Sequence, residues 1–296
     1  MVAAAPSAPP PTTILPQVEL HLCGVRGSTP AVGEDFAEVG GHTSCVAIAH
    51  DGAEHPTLVL DAGTGLRRLS KNMGTTPFTG TLVVGHLHWD HMMGIPFFPA
   101  GDRPGARVQL LIPEQGVAPE QLIERMMSPP FFPIGTGQLR GDWSFGTYGE
   151  DTFEVEGFTV TAREIPHKGG RTMGLRVSDG RSTIAYLSDH APTDLGPGDD
   201  GLGAVHPAAV ELARGADVLV HDAQYTSTEL PGRITWGHCA ADYAVTLGAA
   251  CGVRTVLLFH HDPNRTDDQV AALRGNLVVP DGLQVEVAVE GAVIRV

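Results

Sequence analysis

Basic residues are scarce in this chain. Its 19 Lys and Arg stand against 34 Asp and Glu, a formal net charge of −15 at pH 7. A surface of that sign repels polyanions at long range. It predicts that tRNA or other nucleic acid, which calls for a basic footprint, is not a partner. Bound divalent cations would alter the balance locally, so a small anionic substrate stays open. Cysteine is rare too. Cys23, Cys45, Cys239 and Cys251 form no C-x-x-C pair and no disulfide framework. They read as reduced, buried thiols in a cytoplasmic protein. No apolar run approaches the roughly 18 residues of a membrane span, so no membrane partner is expected. Residues 1–16 are rich in Ala, Pro, Ser and Thr and lack the basic and apolar regions of a signal peptide. They are predicted to form a flexible tail ahead of one domain over 17–296.

Short apolar runs separated by turns follow the tail. The 37 glycines and 23 prolines exceed average usage and fit many shaped turns. Strands are predicted over 18–25, 43–49, 57–60, 81–85, 107–112, 158–165, 173–177, 183–187, 217–220, 255–259, 283–289 and 292–296. Helices are predicted over 66–71, 119–127, 207–214, 240–250 and 266–274. The last opens on a capping box, Thr266 with Gln269. Residues 128–148 carry Pro129-Pro130-Phe131-Phe132-Pro133 and several glycines, and read as one long loop: a lid, a substrate wall or a packed surface excursion. Strands inside and helices outside make a layered α/β domain.

Chemistry concentrates where strands end. The densest signal is His86-Leu87-His88-Trp89-Asp90-His91, with four donors within six residues of an apolar run. Imidazole nitrogens and carboxylate oxygens suit Zn²⁺ and similar first-row metals. Two ions need more donors than this hexapeptide holds. Candidates follow three later strands: His167, Asp189 with His190, and the adjacent pair His260 and His261.

The ordered set Asp61-Ala62-Gly63-Thr64-Gly65, His86-x-His88-x-Asp90-His91, His167, Asp189 and His260 resembles the five motifs of the metallo-β-lactamase superfamily. The resemblance implies a four-layer αβ/βα sandwich with two divalent metal ions between its halves. It implies His86, His88 and His167 on one ion, Asp90, His91 and His260 on the other, and Asp189 bridging both. Asp61 would act behind the ligands, orienting them. Zn²⁺ is the expected metal, with Mn²⁺ or Fe²⁺ as alternatives. His260 is favoured over His261, which would face substrate or pair with Asp262. His190 is a second residue behind the ligands or facing substrate.

Within the superfamily the chain is most similar to the phosphodiesterase branch, including the RNase Z type. Aspartate, not cysteine, stands at the bridging position. The runs Gly24-Val25-Arg26-Gly27-Ser28-Thr29-Pro30 and Gly40-Gly41-His42-Thr43-Ser44-Cys45 resemble that branch's N-terminal loops, and Ser28 is a candidate substrate contact. His221-Asp222-Ala223-Gln224 and Gly237-His238-Cys239-Ala240 resemble its paired acidic and histidine motifs near the leaving group. His238, steered by Asp222, would then be a catalytic acid, and Asp90 is both a metal ligand and a catalytic candidate. Lys168 and Arg171 are solvated charges or substrate contacts. No long basic, glycine-rich arm is present for gripping tRNA. The expected function is therefore a metal-dependent phosphodiesterase for a small diester such as a cyclic nucleotide. Hydrolysis of a lactone, thioester or β-lactam, and metal binding without turnover, remain open, as does a homodimer.

Overall fold

A computed structural model describes residues 18–296, so the predicted tail over 1–16 lies outside the described residues. Two seven-stranded sheets form the centre. The first is built from β1 (Glu19–Gly24), β2 (Cys45–Ala49), β3 (Leu58–Leu60), β4 (Thr79–Val83), β5 (Arg107–Pro113) and β6 (Asp142–Tyr148). The second contains β7 (Thr152–Val155), β8 (Phe158–Glu164), β9 (Met173–Ser178), β10 (Thr183–Leu187), β11 (Val218–Asp222), β12 (Thr255–Phe259) and β13 (Gln284–Val287). The last strand, β14 (Val293–Arg295), returns to pair antiparallel with β1.

The central strands of both sheets are buried on both faces. Along β2, Val46 and Ile48 point to the core between the sheets, while Cys45 and Ala47 point to the outer layer. Along β10, Ile184 and Tyr186 face inward, while Ala185 and Leu187 face outward. This explains why the strands read as continuous apolar runs: period-2 alternation is hidden when both faces meet protein. Helices α1 (Leu66–Asn72), α2 (Trp89–Met92) and α3 (Pro119–Met126) cover the first sheet. Helices α4 (Pro207–Ala213) and α5 (Ala241–Cys251) cover the second, joined by α6 (Asp267–Gly275). The result is the expected four-layer αβ/βα sandwich.

Parallel pairing sets the working end. β3, β4, β5 and β6 run parallel, as do β10, β11, β12 and β13. Their carboxyl ends therefore emerge on shared edges, where open α/β sheets bind ligands. Asp61 follows β3, His86 follows β4, Asp189 follows β10, Asp222 closes β11 and His260 follows β12.

The structure corrects the reading of 128–148 as a loop. Residues Asp142–Tyr148 form β6, parallel to β5 over seven paired positions. Trp143, Phe145 and the buried Tyr148 supply apolar contacts, but the strand lies at the sheet edge and is half exposed. The Pro-rich and Gly-rich residues before it masked this short run. Strand β7 was also missed. All four cysteines are free and buried. Among the described residues, no helix is long and apolar enough to cross a membrane.

Candidate metal centre

Strand ends from both sheets bring seven donor residues together. His86, His88, His167 and Asp189 form one group, and Asp90, His91 and His260 form another; within each, the donor atoms lie within 4.8 Å of one another. Asp189 faces both. Its Oδ1 lies 3.0 Å from His91 Nε2 and 3.3 Å from His260 Nε2. Its Oδ2 lies 3.5 Å from His167 Nε2 and 3.7 Å from His86 Nε2. Asp90 Oδ2 stands 3.1 Å from His260 Nε2 and 3.3 Å from His91 Nε2.

Outer contacts turn these rings inward. His91 Nδ1 donates to Asp61 Oδ2 at 2.6 Å, His167 Nδ1 to the Gly237 carbonyl at 2.7 Å, and His260 Nδ1 to Gln224 Oε1 at 3.1 Å. Each donation leaves the Nε2 lone pair aimed into the cluster. Asp61 is itself held by the Gly85 N–H, the Tyr186 hydroxyl and the Ser188 hydroxyl. Gln224 also donates to Ser28 Oγ, and the Ser28 N–H donates to Asp90 Oδ2 at 2.7 Å.

Backbone strain marks the same place. Ser28, Asp61 and His260 have φ of 62°, 61° and 57°, the left-handed region that non-glycine residues rarely occupy. Gly27 is required beside them, because a Cβ there would run into the His260 ring.

The donor set fits divalent cations. His86 Nδ1 and Nε2 are both buried without a hydrogen-bond partner, although orphaned buried polar atoms are costly. His88 Nδ1 and His167 Nε2 face each other at 3.2 Å, an arrangement natural for two lone pairs sharing a cation. Burial works against charge on Asp189, but the adjacent His260, His91 and His86 outweigh it and hold the carboxyl well below its usual range. Burial pushes His86 well below the ordinary imidazole value, toward the neutral form a metal ligand needs.

Beside the cluster, His238 Nδ1 lies 2.9 Å from Asp222 Oδ2. Burial opposes its charge, but Asp222, then Asp189 and Asp90, raise its pKa to about 8. Asp222 is fixed in turn by the His190 and Gln224 N–H groups. A cavity of about 450 Å³ opens here, lined by Ser28, His88, Trp89, Asp90, Asp189 and His238. Trp89 is 74% exposed and Trp236 is 63% exposed, and Gly237, the neighbour of Trp236, carries the carbonyl under His167.

His261 and His190 both lie away from the cavity. His261 is buried and its Nε2 donates to the Ala288 carbonyl, so it faces neither substrate nor Asp262. The register of β12 turns its neighbour His260 into the cluster instead. His190 is buried behind Asp222 with Nδ1 toward His221 Nε2 at 3.1 Å, away from the cavity. Lys168 donates to the Thr235 carbonyl and Arg171 pairs with Glu164. Gln224 was not foreseen, although its place two residues beyond β11, beside β12, was the available signal.

The model of the beta-lactamase superfamily domain matches residues 57–261. The chain belongs to this superfamily. It is a hydrolase of the metallo-β-lactamase fold with a His/Asp cluster suited to divalent metal. The ribonuclease Z of Limosilactobacillus fermentum is 26% identical over 227 residues, 60% of this chain and 68% of that protein. Three further relatives at 24% to 26% identity carry the same name. Among solved structures, the Bacillus subtilis metallo-β-lactamase fold protein YhfI matches with a TM-score of 0.70 at 17% identity, covering 95% of this chain and 100% of that one. The short form of human tRNase Z matches with a TM-score of 0.64 at 18% identity, covering 93% and 98%. These structural likenesses establish the fold. The relatives overturn the expectation that nucleic acid is not a partner: net charge sums over a whole surface and is blind to what one site binds.

Proposed function

We propose that this superfamily member is a phosphodiesterase that cuts a phosphodiester bond of nucleic acid, with two divalent metal ions, Zn²⁺ first among them. The observation that carries the reading is the Asp222–His238 pair beside a cluster whose Asp189 faces two histidine groups. The ribonuclease Z relatives support the choice of substrate. So do Trp89 and Trp236, whose exposed indoles offer faces on which bases stack. Cyclic nucleotides and other small diesters present the same bond and form the second substrate class.

In this reading His86, His88 and His167 would hold one ion and Asp90, His91 and His260 the other, with Asp189 a donor available to both. A metal pair of this kind supplies an acidified water as nucleophile near neutral pH. The chain's own residues do the rest. The Asp61, Gly237 and Gln224 contacts keep the histidine Nε2 lone pairs directed inward. Asp222 accepts the Nδ1–H of His238, keeping Nε2 available to deliver a proton to the leaving oxygen. The Ser28 N–H holds Asp90 in place at the cavity wall. The described residues act as one hydrolase unit, because both sheets share a core and the site draws on both. The buried free thiols fit a cytoplasmic, reducing setting.

The test is turnover of an RNA oligonucleotide, a cyclic nucleotide and bis(p-nitrophenyl) phosphate by metal-loaded protein, with Asp189→Ala as the blank. RNA cleavage lost in the variant supports the reading. No turnover of any of the three, with metals verified in place, overturns it.

A further inference from the structure

One depression away from the cluster departs from the acidic surface. A cavity of about 440 Å³ is lined by Arg67, Arg68, Lys71, Arg103 and His42, with no carboxylate in its wall. Four of its eight lining residues are Lys or Arg, against 19 of 296 in the chain, so the charge is concentrated there. Helix α1 supplies three of the four. Arg67 and Lys71 stand four residues apart on one helical face, a like-charge pair that weakens a helix. Helix stability therefore does not account for them.

Neighbouring groups leave the charge available. Arg68 and His42 share one carboxylate, Glu290, at 3.1 and 2.9 Å. Arg103 donates to the Thr76 carbonyl. Among the described residues, Arg67, Lys71 and Arg103 take part in no ion pair of 4.0 Å or less.

A second depression shares His42 and Arg67 with it and continues along Thr64, Ala31 and Pro30, with Glu290 also in its wall. Pro30 is two residues from Ser28, which lines the cavity at the cluster.

We propose that this track holds the phosphate backbone of the nucleic-acid substrate some nucleotides away from the bond that is cut. The inference rests on the nucleic-acid reading above. A chain of net charge −15 that grips a polyanion needs a local cationic surface, because backbone affinity comes from neutralised phosphates. The cationic wall that α1 and Arg103 build is such a surface.

The experiment uses the full, metal-loaded chain and the triple variant Arg67→Ala, Lys71→Ala, Arg103→Ala. Affinity for a single-stranded RNA is measured against salt concentration, beside kcat/KM for bis(p-nitrophenyl) phosphate. The expected result is RNA affinity weaker by about tenfold or more and a salt slope shallower by about 2, for three lost phosphate contacts. Small-diester turnover stays unchanged. A second variant, Arg67→Lys with Arg103→Lys, is expected to recover most of the affinity, which separates charge from folding. Unchanged RNA affinity and slope in the triple variant overturn the track and leave the nucleic-acid reading standing. A wild-type chain that hydrolyses the small diester yet neither binds nor cuts RNA overturns both. Loss of inhibition by inorganic phosphate with RNA affinity intact assigns the cavity to free phosphate and also overturns the proposal.

Discussion

Asp61 accepts the Nδ1–H of His91 at 2.6 Å, and both side chains are fully buried. The contact fixes the imidazole tautomer, and with it the direction of the Nε2 lone pair. Asp61→Asn can instead donate to His91 and reverse the tautomer. We expect metal affinity to fall about 10- to 100-fold, the range for lost partners behind metal ligands. Metal titration of the folded variant checks this; unchanged affinity removes Asp61 from the role.

His238→Ala is expected to retain both metals and lose kcat by about 10²–10⁴-fold, the usual contribution of a positioned acid. Elemental analysis beside steady-state kinetics decides. His238 Nδ1 lies 3.8 Å from Asp189 Oδ2, so metal loss in this variant would make it a ligand rather than an acid.

Gly27→Ala drives a methyl group into the His260 ring. The expected outcome is a folded protein with weakened metal occupancy and activity reduced by about tenfold or more, on the order of 1–3 kcal/mol of overpacking. Circular dichroism and metal content measured together test it. Full activity would mean that the His260 ring has freedom this packing denies.

Glu290 accepts from the His42 N–H and ring and from Arg68. Burial favours its neutral form, but these partners prevail and lower its pKa. The folded value is therefore below the unfolded one. Its stabilisation is full above the unfolded carboxyl range and is lost as pH falls through the folded value. Glu290→Gln should lower stability by about 2 kcal/mol near neutrality and by little in acid. Melting curves across pH give the answer; a pH-independent gap would refute the charge argument.

Much of the site was legible in the sequence, for a physical reason. A metal needs several donors, and short parallel strands place donors just beyond their ends. His86 to His91, His167, Asp189 and His260 each follow an apolar run, and the structure brings them together. Gln224 was hidden because its partner, His260, is 36 residues away and is met only through the β11–β12 register. His260, directly after the β12 run, was favoured over His261 in sequence; its backbone turns at φ 57°, and His261 is tied instead to the Ala288 carbonyl. Strand β6 was obscured by the prolines and glycines before it, and the proposed nucleic-acid substrate by a charge total that averages over the surface.

The cluster draws its first donor from residue 86 and its last from residue 260. During synthesis the early group emerges long before its counterpart, and chains begin to fold as they emerge. On the proposed ligand set, the nascent protein can offer the first sheet's histidines but not a closed pair of sites until β12 has docked. Ion capture by the complete set is then a late event, one that follows the closing of the apolar core between the two sheets.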